Sequence, residues 1–291
     1  MIPKVSSKKA LRRVGLARAL SKLGYCSRSQ AAELIRAGRV RLNEGVRFDP
    51  ETPVHLTRDR ILVDDRPIEA GEKIYLVMNK PRDLVTTAAD EKGRETVYSI
   101  LKRSGSGAEG VSSSSESTAA SPLLNPAWVA PVGRLDKASE GLLLLTNDSE
   151  WSARVAAPET HLPKTYHVQI ARLADEALIA ALTAGVQVAA NSGANSGANS
   201  GEKSGDGETM RASQVRLLRS GQKNCWLEIV LTEGKNRQIR RMLQARGIDV
   251  LRLVRVAIGP LQLGKLAKGA YRPLTAEEKK MLDRSMLARM R

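Results

Sequence analysis

Leu16, Ala17, Ala19, Leu20 and Leu23 recur at helical spacing, and Gly24 follows as a stop. Ser27 and Gln30 then form an S-x-x-Q capping box; Ala31, Ala32, Leu34 and Ile35 carry a second helix, and Gly38 ends it. Val40 and Leu42 alternate with Arg39 and Arg41, which predicts a strand, with Asn43-Glu44-Gly45 as its turn. This opening stretch reads as helix, helix, hairpin. Further on, 74–78 and 128–132 read as strands, and 142–145 as a buried one. Tyr166, Val168 and Ile170 share one strand face; Leu227, Ile229 and Leu231 share another. Residues 178–182 and 238–246 read as helices. The expected class is α+β, with a small helix-helix-hairpin unit followed by a domain built on a mostly antiparallel sheet.

Two segments break the pattern. Residues 104–121 hold few large apolar side chains, and 190–201 are three copies of A-N-S-G with a polar tail to 208. Both are expected to be flexible inserts. Gly105, Gly107 and Gly110 spell G-x-G-x-x-G, but no strand leads in and no helix follows, so a nucleotide site is rejected there. The expected organisation is a basic extension at 1–13, a small domain at 14–75, a larger one at 76–275 carrying both inserts, and a helical tail at 276–291.

Charge narrows the partners. The 291 residues carry 47 Lys and Arg against 31 Asp and Glu, a net of +16. Residues 1–47 alone hold twelve Lys and Arg and two Glu, a net of +10. An excess of that size points to a polyanion, nucleic acid first and an anionic membrane surface second. The longest apolar runs are only a few residues, so nothing is expected to span a bilayer. Residues 1–32 contain no acid and superficially match a transit peptide, but they run directly into punctuated helices, so a folded basic surface is expected. Cys26 and Cys225 lie far apart, imply no disulfide framework, and form no metal-ligand spacing with His55, His161 or His167. A reducing cytoplasm is the expected compartment. Aromatic residues are 3% of the chain, which weakens any reading built on stacking platforms.

Three stretches could carry chemistry. In P-V-G-R-L-D-K-A-S-E-G-L-L-L-L-T-N-D (131–148) a polar loop between two apolar strands carries Asp136. In K-T-Y-H-V-Q-I (164–170) Tyr166 lies on the apolar strand face. In L-T-E-G-K-N-R-Q-I-R-R-M-L (231–243) a turn precedes a helix whose Ile239, Met242 and Leu243 face the core. Arg237, Arg241 and Gln244 gather opposite, and Arg240 falls at the core's edge. On local pattern alone Asp136 is a turn former, Tyr166 a core tyrosine, and Arg240 a side chain that snorkels to water or finds an anion.

Two resemblances change that balance. L-A-R-A-L-S-K-L-G-Y-C-S-R-S-Q-A-A-E-L-I-R-A-G-R-V-R-L-N resembles the RNA-binding domain named after the fourth small-subunit ribosomal protein, which presents its first two helices to structured RNA. On that likeness Arg12, Arg13, Arg18, Lys22, Arg28 and Arg36 are expected to meet RNA. The stretch G-R-L-D-K-A-S-E-G-L-L-L-L-T-N-D resembles the catalytic motif of the pseudouridine synthases that modify ribosomal RNA. V-M-N-K-P (77–81), K-T-Y-H-V, E-G-K-N-R-Q-I-R-R-M and R-L-V-R (252–255) resemble that family's other motifs. The resemblance implies Asp136 as catalytic aspartate and Tyr166 as the tyrosine packed on the base. It implies Arg240 as the basic residue paired with the aspartate, and Leu253 as a pocket wall. Arg134 would take the flipped base's place, with Arg237 and Arg241 also on RNA. Ser139 stands where Thr is commoner, and Asp83 where the first motif often has Gly.

The implied reaction cleaves the base–ribose bond of a uridine, turns the base over, and rejoins it through carbon five. Nothing is oxidised and no group leaves, so neither cofactor nor metal is expected. One carboxylate can serve as nucleophile or manage a ribosyl cation, whereas hydrolytic glycosidases usually place two. The expected partner is ribosomal RNA, met by a monomer. A non-catalytic ribosome-associated assembly protein on the same fold is the alternative; intact Asp136, Tyr166 and Arg240 favour the enzyme.

Overall fold

The computed structural model describes residues 13–87, 93–105, 128–189 and 207–289. Arg12, the glycines after 105, most of the first insert and the A-N-S-G repeats lie outside the described residues. The chain forms two compact units. The described residues of the first are 13–75, 128–130 and 145–151; those of the second are 76–87, 93–105, 131–144, 152–189 and 207–289.

In the first unit, β1 (Val14–Gly15) leads into α1 (Leu16–Lys22) and α2 (Arg28–Arg36). The capping box forms: the Gln30 amide donates to the Ser27 hydroxyl, and the Ser27 amide donates to the Gln30 side chain, each at 3.2 Å. Gly24 and Gly38 end the two helices at φ +81° and +71°, backbone that costs glycine no Cβ clash. β2 (Val40–Leu42) turns through Asn43 and Glu44 into β3 (Gly45–Val46), as the sequence predicts. The sequence reading missed the short β4 (Pro53–Val54), β5 (Ile61–Val63) and β6 (Arg66–Pro67). β5 and β6 are joined by Asp64 and Asp65, both at positive φ, so this hairpin bends on aspartates rather than on a glycine. Leu16, Leu20, Ile35, Val40, Val54 and Val63 fill the core.

The second unit is organised by one nine-stranded sheet. Its members are β7 (Tyr75–Lys80), β8 (Ala130–Val132), β9 (Glu140–Thr146), β10 (Lys164–Ile170), β13 (Gln214–Ser220), β14 (Cys225–Leu231), β15 (Val250–Ile258), β16 (Leu261–Gln262) and β17 (Tyr271–Pro273). The order is β13-β14-β10-β15-β9-β7-β17, with β8 on β9 and β16 on β15. A separate hairpin pairs β11 (Val186–Val188) with β12 (Glu208–Met210). Among the described residues the α-helices that follow are α3 (Tyr98–Gly105), α4 (Ser149–Ala156), α5 (Glu176–Ala184), α6 (Gln238–Gln244) and α7 (Ala276–Arg289). β14 alternates buried and half-buried residues along its whole length, as expected of a strand packed on one face. All seven residues of β9 are buried, as expected of a strand covered on both sides.

β15 pairs with β9 in parallel, Val254 opposite Glu140 and Arg255 opposite Gly141. Gly141 is required there: its φ is +101°, and a Cβ would lie 2.2 Å from the Arg255 carbonyl oxygen. β15 also pairs antiparallel with β10, and a β-bulge interrupts that ladder between Thr165 and Tyr166. The bulge puts Arg255 opposite Tyr166 and Ile258 opposite Lys164, so a spacing of three on β15 matches a spacing of two on β10. None of the helices, among the described residues, is long and apolar enough to cross a membrane.

Candidate active site

The loop between β8 and β9 runs from Gly133 to Ser139, and its carbonyls from Leu135 onward are held one by one. Thr86 donates its hydroxyl to the carbonyl of Leu135 at 2.7 Å. The Asp83 amide donates to that of Lys137 at 2.8 Å. Lys80, with no exposed surface, donates its ammonium to the carbonyls of Ser139 at 2.8 Å, Pro81 at 3.0 Å and Asp136 at 3.3 Å. Arg240 donates to that of Ala138 at 3.0 Å. Asp83, where a glycine is commoner, takes φ +72°, so the turn keeps a left-handed backbone with an aspartate in it.

Asp136 thereby stands at the wall of a cavity of about 470 Å³ that Arg134, Tyr166, Arg237, Arg240 and Leu253 also line. The volume falls in the range of small-ligand pockets, about 300–1,000 Å³. Tyr166 comes from β10, Leu253 from β15, and the two arginines from the start of α6. Leu253 is 5% exposed and belongs to the same core cluster as Val168, Ile239 and Met242, so this wall is continuous with the core.

The expected direct pair between Arg240 and Asp136 is not formed. Among the described residues it is Arg237 that reaches the carboxylate, Nη1 to Oδ2 at 3.6 Å. Arg237 caps α6 in a left-handed conformation, φ +49°, next to the loop. Arg240 sits almost one turn further along, where its fork meets backbone carbonyls, Ala138 at 3.0 Å and Val250 at 3.4 Å, while its Nε is buried without a partner. Burial lowers the Arg240 pKa and the neighbouring Arg237 adds to that, against a raising influence from Asp136. Arg240 therefore feels the carboxylate without touching it.

Arg241 is not part of the cavity. It donates to the Ala189 carbonyl at 2.8 Å and pairs with Glu208 at 3.6 Å, because its position on α6 turns it toward β11 and β12. In the first unit Arg18, Arg28 and Arg36 are exposed on the two helices. Arg13 donates to His55 Nε2 at 2.8 Å, and Lys22 pairs with Glu150 at 2.7 Å.

Sequence reasoning missed three cations. Lys80 ends β7 inside V-M-N-K-P, and burial brings its pKa down to about 8. Lys164 opens K-T-Y, and burial, with Arg255 nearby, brings its pKa down to about 8. Arg255 closes R-L-V-R and is 5% exposed; its Nε donates to the Leu142 carbonyl at 2.7 Å. A signal existed for it: Leu253, Arg255 and Ala257 alternate on a strand, and an arginine on a buried face needs a reason.

Residues 74–245 match the family model described as RNA pseudouridylate synthase, and 14–61 match the S4 domain. The first match covers more than half of the chain, which therefore belongs to the RNA pseudouridine synthase family, enzymes that isomerise uridine in RNA. It carries an N-terminal S4 domain, the RNA-binding module. Among relatives, an uncharacterized RNA pseudouridine synthase of Aquifex aeolicus (strain VF5) is 32% identical over 266 residues, 89% of each chain. Ribosomal large subunit pseudouridine synthase B of Bacillus subtilis (strain 168) is 30% identical over 269 residues, 92% of this chain and 94% of that one. A crystal structure of a pseudouridylate synthase superposes with a TM-score of 0.55 at 27% identity, covering 92% of this chain and 99% of the other.

Proposed function

We propose that this enzyme acts on ribosomal RNA in the cytoplasm, as a monomer, with Asp136 as its catalytic carboxylate and without a cofactor. The observation that carries the reading is the fixed loop: a carboxylate at a cavity wall whose loop carbonyls from Leu135 to Ser139 are gripped from outside, beside an aromatic and an apolar wall. Preorganisation of that kind suits a reaction in which charge develops on a ribosyl carbon a few ångströms away. The relative named for the ribosomal large subunit supports the choice of RNA.

In this reading the target uridine leaves its stack at a cost of a few kcal/mol and enters the cavity. Tyr166 packs on the base, Leu253 closes the apolar side, and Arg134, an exposed arginine at the cavity, fills the gap left in the RNA. Asp136 acts on the bond between base and sugar. The base turns over and carbon five bonds to the sugar, losing a proton while N1 gains one. That exchange is redox-neutral and complete in itself, so the chemistry calls for no electron carrier.

Mapping pseudouridine in ribosomal RNA from cells lacking the gene tests the reading. One or a few uridines should lose modification, return with the wild-type gene, and stay unmodified with Asp136→Asn. An unchanged map would overturn the ribosomal assignment; restoration by the variant would overturn the role of Asp136.

A further inference from the structure

Lys164 and Arg255 line one cavity, and neither pairs with its two acids: Glu233 meets Lys235 and Asp136 meets Arg237. The β-bulge sets the two cations on one face with Tyr166. Arg255 is 95% buried, and its Nη2 has no hydrogen-bond partner. The Lys164 ammonium has no hydrogen bond or ion pair among the described residues. A buried guanidinium and a half-buried ammonium in one cavity, each with donors unpaired, are unfavourable unless an anion completes them. Their position rules out the surface role that most of the chain's excess positive charge can serve. A phosphate of a flipped nucleotide stays with the RNA backbone at the mouth, whereas the base goes in.

We propose that Lys164 and Arg255 form an anion-stabilising end of the cavity that takes up the negative charge on the uracil ring while the base is detached from the ribose. This rests on the isomerase reading above. When the C1′–N1 bond breaks, its electron pair stays on the ring and spreads over N1 and the two carbonyl oxygens. Those atoms are hydrogen-bond acceptors, and Arg255 Nη2 and the Lys164 ammonium are donors without partners. When C5 bonds to C1′, the C5 proton is released and N1 takes one up, so the ring returns to neutrality and the base is no longer held. The device therefore acts on the intermediate more than on substrate or product, which is where stabilisation raises the rate.

The test uses hypomodified ribosomal RNA carrying tritium at uridine C5, since bond formation at C5 frees that label. Lys164→Met should cut single-turnover tritium release by about 10²–10³-fold, the range for removing one charge-stabilising donor, with RNA affinity within a few-fold of wild type. Lys164→Arg should restore most of the rate. The wild-type rate should fall above about pH 8, where Lys164 and the loop-gripping Lys80 both lose protons, and Lys164→Arg should shrink that limb to the share left by Lys80, because arginine stays charged. Besides Arg255, the charged groups round the cavity are Arg134, Asp136, Glu233, Lys235, Arg237 and Arg240. Lys164→Met should melt no lower than wild type, because it removes a desolvated charge. Turnover by Lys164→Met at the wild-type rate would overturn the proposal. So would a parallel loss of affinity and rate with a salt slope reduced by about one, which would mean that Lys164 meets a backbone phosphate. If wild-type enzyme releases no tritium from any ribosomal RNA, the reading of the substrate fails first; if wild type is active, Asp136→Asn is dead and Lys164→Met is intact, this inference alone fails.

Discussion

The Arg240 guanidinium donates to the carbonyl of Ala138, 3.0 Å away, and so grips the loop that carries Asp136 rather than the carboxylate itself. Arg237 takes the carboxylate at 3.6 Å. The two arginines divide between them the work that a single pair was expected to do.

Arg240→Met should therefore destabilise the protein by about 1 kcal/mol, the cost of leaving a half-buried carbonyl without its charged donor, and reduce turnover by orders of magnitude. Arg240→Lys should do less harm, keeping the cation and losing the fork. In denaturant titrations the effect of Arg240→Met should be additive with Asp136→Asn, because its anchor is backbone. Strong coupling between the two would restore the direct pair.

Asp136→Asn preserves shape and removes only the charge. It should abolish pseudouridine formation while RNA affinity stays within a few-fold, measured by filter binding on the same RNA. The half-exposed contact with Arg237 should be worth at most about 1 kcal/mol to folding, so substantial unfolding of the variant would be the wrong outcome.

Gly141→Ala should be among the most damaging single-methyl changes in the chain. The added Cβ would sit 2.2 Å from the Arg255 carbonyl on a backbone at φ +101°. A loss of at least about 2–3 kcal/mol is expected, visible as a lowered unfolding midpoint, with activity lost because Arg255 and the loop shift together.

Most of this was legible in the residues. The capping box at Ser27, the period-two face of β14 and the apolar run of β9 each follow from local pattern, and each formed. Asp136, Tyr166 and Leu253 came from motif resemblance, and the fold brings them round one cavity. The division of labour between Arg237 and Arg240 was not legible, because both lie in one helix turn and only the left-handed cap at Arg237 decides which reaches Asp136. That Lys164 and Arg255 meet was hidden for a related reason: Arg255 shows in the alternation of its strand, but a bulge changes the register between the two strands, and no one-dimensional period records it. The hairpin at Asp64 and Asp65 was missed because aspartate, not glycine, occupies its positive-φ positions.

The exposed arginines of the first unit invite a salt experiment. Replacing Arg18, Arg28 and Arg36 together by alanine should weaken RNA binding and flatten the slope of log affinity against log salt by about two, at roughly 0.7–0.9 per phosphate contact. Thermal stability should hardly change, since surface substitutions usually lie within about 0.5 kcal/mol each. An unaltered slope would show that these helices face away from the RNA.

Stability should also respond to alkali. Burial holds Lys164 at about 8 against an ordinary 10.5. Between those values the unfolded chain binds more protons than the folded one, so this group makes the protein more stable as pH rises through that window. Wild type should gain on Lys164→Met over that range in chemical denaturation, and parallel curves would contradict it.

The parallel ladder that sets Val254 beside Glu140 has a consequence for synthesis. Its two halves are more than a hundred residues apart, and such contacts are slow to form. The loop of Asp136 leaves the ribosome long before Arg240 and the strand that carries Leu253 and Arg255. A growing chain thus completes its S4 domain, residues 14–61, early and its cavity only when residue 258 has emerged. Each molecule passes through a period in which it can hold RNA but has no place to put a base.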